Sequence, residues 1–160
     1  MQHPHFEKDA IIPAFILPGP DGTPHSPWDY KQRENLLLLI TNSVTLQESR
    51  ELLRFFAQHT STLREEMCAI LALSPDTVVA NLEAQENLHL PYPLLADSTG
   101  KVIQYYTQWN TVHRTLTPSM ILANRYNAFY EQWTLESRDE APPLAEVIEA
   151  LHYLNNLCVP

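Results

Sequence analysis

The sequence has little glycine, little cysteine and little positive charge, and each scarcity closes off a class of function. Its three glycines, Gly19, Gly22 and Gly100, fall in turn contexts, so no glycine-rich loop is present to cradle a phosphate and nucleotide binding has no support. The two cysteines, Cys68 and Cys158, are far apart and form no CxxC. A disulfide framework is excluded by count, no zinc or dithiol motif can be read locally, and two separate thiols are favoured over a single bridge. Ten Lys and Arg against nineteen Asp and Glu leave a net charge of −9, which repels phosphate backbones and anionic membranes; nucleic acid is not an expected partner. No run approaches the roughly 18 apolar residues of a membrane span. The opening MQHPHFEKDA has no apolar signal core, so the expected location is cytoplasmic, with residues 1–8 disordered. HExxH, GxSxG and internal repeats are also missing. Of the seven histidines only His3 and His5 stand close together, and no metal or cofactor is expected.

What is present is an alternation of strand-like and helix-like runs, which favours an α/β layer fold in one domain over residues 1–160. Ala14 to Leu17 reads as a short strand, PGPDG as a turn, and SPWDY as one helical turn capped by Ser26 with Pro27 at its first position. Asn35 to Thr41 is apolar on both faces, the mark of a central strand covered on both sides. Helix 46–59 follows, with Leu52, Leu53 and Phe56 on one face. MCAILAL (67–73) is a second central strand, and the next helix is read with Ser74 as cap and Pro75 at its first position. PSMILAN and NAFYEQWTL form a hairpin around Asn124 to Asn127. A final helix carries Leu144, Val147, Ile148, Leu151, Leu154 and Leu157 in one stripe and is expected to close the second face of the sheet. Glu131, Glu136, Asp139 and Glu140 read as solvated surface.

Four stretches carry a resemblance. IPAFILPGPDGTPHSPWDYKQ, CAILALSPDT, LPYPLLADSTGKVIQYY and TPSMILAN, in that order over about residues 9–135, resemble the alkyl hydroperoxide reductase and thiol-specific antioxidant family, the peroxiredoxin branch of the thioredoxin fold. The resemblance implies a thioredoxin-like three-layer α/β/α sandwich with a central mixed sheet. It also implies a peroxidatic cysteine at the start of the helix after LLLLITN, preceded three residues earlier by a Thr or Ser, and a supporting Arg at the start of PSMILAN. Laid over NSVTLQES, that pattern places Thr45 at the cysteine position, Asn42 near the other and Pro118 on or beside the Arg.

A hydroxyl lacks the nucleophilicity of a thiolate toward an O–O bond, so Thr45 is read instead as the first residue of a capping box, T-L-Q-E, exchanging hydrogen bonds with Glu48. Cys68, inside an apolar strand, is expected to be a packed, unreactive thiol, and Cys158, after the last helix, is expected to be the more exposed of the two. Thr117 and Pro118, with His113 and Trp109, are candidates for a cleft; the bond between Thr117 and Pro118 is expected to be cis more often than an ordinary X-Pro bond, and its backbone to offer an edge for an extended peptide. His113 is also the one group read as able to approach Thr45 in space. The functional expectation is therefore a peroxiredoxin-like protein without peroxidase activity that binds another protein or self-associates. The alternative is an antioxidant oxidoreductase using Cys158 or Cys68.

Overall fold

The structure, a computed structural model, describes residues 6–135 and 142–157. Its centre is a five-stranded mixed sheet. The middle strand β3 (Asn35–Ile40) buries all six residues, because it is covered on both faces and hydrogen-bonded on both edges. It pairs in parallel with β4 (Cys68–Ser74) and antiparallel with β8 (Ser119–Ala123). Beyond β4 lies β5 (Leu94–Ala96), a parallel neighbour not anticipated from LPYPLLADS, and beyond β8 lies β9 (Phe129–Thr134). The β8–β9 hairpin turns where expected. Asn124 Oδ1 accepts from the N–H groups of Tyr126 and Ala128, and Asn127 adopts φ 61°, a conformation asparagine tolerates.

Strand alternation divides the core in two. Leu37, Leu39, Ile70, Ala72, Met120 and Leu122 point to one face, where α1 (Gln47–Gln58), α2 (Thr60–Glu65) and α3 (Val78–Asn87) contribute Leu52, Leu53, Phe56, Leu63 and Ala84. The final helix α5 (Leu144–Asn155) buries Val147, Ala150 and Leu151 in this same cluster. It therefore does not close the second face. That face, formed by Leu36, Leu38, Ile40, Leu71, Leu73 and Ile121, is covered by Ile12, Phe15 and Leu17 from the N-terminal segment and by Ile103 and Tyr106 of the one-turn helix α4 (Ile103–Tyr106). The extended segment reaches in because the Tyr106 hydroxyl donates to the Pro13 carbonyl and the Ile12 N–H donates to the Asn127 carbonyl. Phe6 packs against Tyr106 and Phe129.

The first short strand is β1 (Leu17–Pro18), later than the Ala14 to Leu17 expected, because only these residues pair with β2 (Pro24–His25) across the PDG turn. The helical turn Pro27–Tyr30 has the expected Ser26 cap, with Asp29 completing a capping box. A last small ladder joins β6 (Trp109–Asn110) to β7 (Thr115–Leu116), directly before β8.

Candidate functional site

Parallel pairing of β3 with β4 brings the loops that leave their C-terminal ends together, the position where open α/β sheets place their sites. The loop after β3 holds Thr41 to Leu46, and the loop after β4 holds Pro75 to Thr77. They are tied by Asp76, whose carboxylate accepts from the Ser43 hydroxyl at 2.7 Å and from the Val44 N–H at 2.8 Å. Sequence reading missed this carboxylate, which lies thirty-two positions from Val44. The only available signal was the pairing of two apolar strands, each followed at once by polar residues.

The same geometry corrects two capping assignments. Helix α1 starts at Gln47 with Leu46 as its N-cap and no side-chain cap, while Thr45 lies outside the helix with its hydroxyl 2.9 Å from that of Ser43. The Thr45 capping box is not formed because Asp76 draws the chain into a turn and delays the helix. Similarly, α3 is capped by Thr77, whose hydroxyl accepts from the Ala80 N–H. Ser74 remains the last, fully buried residue of β4, 2.6 Å from Asn81 Oδ1.

The third wall is the approach to β8. The Asn42 amide acts as a false strand partner, donating from Nδ2 to the Leu116 carbonyl and accepting the Leu116 N–H on Oδ1. Thr117 and Pro118 are joined by a trans bond, since the described residues contain no cis peptide. The Thr117 carbonyl accepts from the hydroxyls of Thr107 and Ser119, and the Pro118 carbonyl accepts from the Leu135 N–H. These bonds hold the strand entry and engage the Thr117 and Pro118 carbonyls within the chain. Trp109 packs against Gly100 and is only 9% exposed, so most of its ring is used in packing. His113 sits on the exposed β6–β7 turn, where Asn110 Oδ1 accepts its backbone N–H, and the described hydrogen bonds do not join it to Thr45. Arg114, which sequence reading passed over, clamps this turn to the β4 side by donating to the carbonyls of Pro75 at 2.8 Å and Ser98 at 2.7 Å.

The AhpC/TSA family model matches residues 9–128, three quarters of the chain and all three walls just described. The chain belongs to the AhpC/TSA family. Among solved structures, peroxidoxin BcpB from Mycobacterium tuberculosis superposes with a TM-score of 0.80 at 18% identity, covering 97% of this chain and 100% of that one. A PrxQ cysteine variant from Xylella fastidiosa gives 0.76 at 18% identity over 94% and 96% of the two chains. A peroxiredoxin 6 variant from Arenicola marina gives 0.80 at 15% identity over 94% and 74%. At these identities the likeness is one of fold, and it identifies the sheet as thioredoxin-like. No match is found among the curated proteins.

Within this AhpC/TSA fold the chemistry at the α1 start is that of hydroxyls and amides. The segment Thr41 to Arg50 contains no cysteine. Under the helix start the hydroxyls of Thr41 and Ser49, both nearly inaccessible, have no hydrogen-bond partner among the described residues, nor does Arg50 Nε. Thr41 alternates with Leu37 and Leu39 and so faces α1, and Ser49 is on the buried stripe of α1 itself. Such atoms can take up a water or the oxygen of a small molecule. Cys68 is a free thiol at the opposite end of β4, roughly 20 Å from Ser74 at about 3.3 Å per residue. Burial among Leu63, Ile70 and Leu151, reinforced by the charge of Glu34, pushes its pKa well above the ordinary thiol value. Cys158 lies outside the described residues, as do His3, His5, Glu136, Asp139 and Glu140. Among the described residues no helix is long and apolar enough to cross a membrane.

Proposed function

We propose that this AhpC/TSA-family protein does not reduce peroxides through a thiolate at the start of α1, and that it acts by binding another protein or as a subunit of an assembly. The observation that carries the reading is the composition of that helix start. With α1 beginning at Gln47, the place of a helix-start thiolate moves to Gln47 or Glu48, and three residues before Glu48 stands Thr45. Neither this register nor one centred on Thr45 meets a cysteine. A carboxylate in the first helical turn suits the helix dipole, as a thiolate would, but it cannot open an O–O bond and form a sulfenic acid. Cys68 is no substitute. Its sulfur is buried away from the site, and its raised pKa keeps it protonated at neutral pH.

The test is the rate of hydrogen peroxide consumption by the reduced protein, with a sulfenic-acid trap and mass spectrometry at Cys68 and Cys158. Background-level consumption with neither thiol trapped is the expected result. Turnover that disappears in Cys158→Ser would replace this reading with a relocated thiol. The binding part is tested separately by affinity capture and by light scattering on the purified chain; a monomer that retains no defined partner would remove it.

A further inference from the structure

The opposite end of the sheet carries a second concave feature, unrelated to the α1 start. A cleft of about 90 Å³ lies at the N-terminal ends of β3 and β4, lined by Arg33, Asn35, Met67, Arg125, Tyr126 and Leu157 among others. The two arginines come from separate segments that the backbone locks side by side, because the Gln32 N–H donates to the Arg125 carbonyl. In a chain with a surplus of carboxylates, neither guanidinium forms an ion pair among the described residues. The nearby Glu66 carboxylate is taken up by His152 Nε2 at 3.1 Å and approached by Asn155 Nδ2. Two guanidiniums beside one cleft, with no ion pair among the described residues, repel each other, and an anion between them reverses the sign of that interaction.

The other walls define the rest of the ligand. Asn124 Oδ1 is used by the Tyr126 and Ala128 N–H groups, which leaves the Asn124 amide as a further donor. Met67, Tyr126 and Leu157 are 50%, 36% and 43% exposed and form an apolar margin around the charged centre. Arg125 is stacked over Tyr126 at 5.3 Å, which holds its planar fork in place.

We propose that this cleft binds a small organic anion, a carboxylate or a phosphate monoester on an apolar or aromatic group, with the head between Arg33 and Arg125 and the tail on Met67, Tyr126 and Leu157. The volume suits a head group with a short tail, and the site is independent of whatever happens at the start of α1.

The experiment is a titration of the full chain with phenyl phosphate, benzoate and the neutral benzyl alcohol, read by NMR on the Met67 methyl group and the Tyr126 ring. One of the two anions should saturate below about 1 mM, weaken with added salt, and outcompete benzyl alcohol. Which anion binds more tightly identifies the head group. Arg33→Gln and Arg125→Gln should each weaken binding about tenfold or more. Since Arg33 also holds the Asp29 carbonyl, Arg125→Gln is the deciding variant if the other folds poorly. Met67→Ala should weaken phenyl phosphate while leaving inorganic phosphate unchanged. Failure of both anions to saturate by about 10 mM, equal binding of benzyl alcohol, or unaltered binding in Arg125→Gln would overturn the proposal.

Discussion

Asp76→Ala is the substitution that most directly probes how the two site loops are held. The wild-type carboxylate accepts two hydrogen bonds, from the Ser43 hydroxyl and the Val44 N–H, and Val44 is 4% exposed, so the orphaned amide gains little from water. A hydrogen bond to a charged group is worth about 1.5–3 kcal/mol, but two on one partly hydrated carboxylate are not additive, which gives an expected loss of about 2–3 kcal/mol. For a chain of this length that corresponds to a fall in Tm of about 4–12 °C. The assay is urea unfolding followed by far-UV circular dichroism, with the slope of the transition checked for two-state behaviour. Asp76→Asn keeps one acceptor oxygen and should lose about half as much. Thr45→Ala is the contrasting case. Among the described residues its hydroxyl meets only that of Ser43, so the cost should stay below about 0.5 kcal/mol, whereas a Thr45 capping box would make it about 1 kcal/mol. If Asp76→Ala lies within about 0.5 kcal/mol of wild type while Thr45→Ala costs more, the loop architecture argued above is wrong.

Two further outcomes follow from the packing. Gly100→Ala places a Cβ about 2.2 Å from the Trp109 ring at φ +75°, so it should cost about 2–4 kcal/mol in urea unfolding; a near-neutral result would mean that Trp109 does not rest there. Cys68 gives a pH signature. Its folded-state pKa is raised by burial, so the unfolded chain loses the proton first. Its contribution to stability is complete below the ordinary thiol value of about 8.5 and is lost at up to about 1.4 kcal/mol per pH unit above it. Between pH 8.5 and 10 wild type should lose about 1.6 kcal/mol more than Cys68→Ala, since the buried Tyr92 and Tyr106 contribute equally to both proteins. Parallel stability curves for the two proteins would show Cys68 to be solvated.

The parts of this fold that can be read from the sequence are those where a single residue type does one local job. Five consecutive apolar residues, Leu36 to Ile40, read as a strand covered on both faces, and the Asn-rich turn between β8 and β9 carries its own hydrogen-bond acceptor. Reading fails where a distant group competes with a local one. T-L-Q-E has the composition of a capping box, but a carboxylate from the next loop offers Ser43 and Val44 a charged acceptor and the helix starts one residue later, at Gln47. The SPDT stretch fails in the same way, because Ser74 is drawn into β4 by Asn81 and leaves the cap to Thr77.

Which face a terminal helix covers is equally invisible to periodicity. The stripe on α5 announces a buried side but contains nothing that distinguishes the α1 face from the face already filled by Ile12, Phe15 and Tyr106. The N-terminal segment decides the matter by occupying that second face, which leaves α5 only the cluster beside α1. The C-terminal end of α5, Leu154, Asn155 and the following Leu157, is thereby delivered beside Met67 and Arg125. The arginine cleft is thus a consequence of topology. Arg33, Met67, Arg125 and Leu157 come from four separate stretches of the chain, and no local motif could have brought them together.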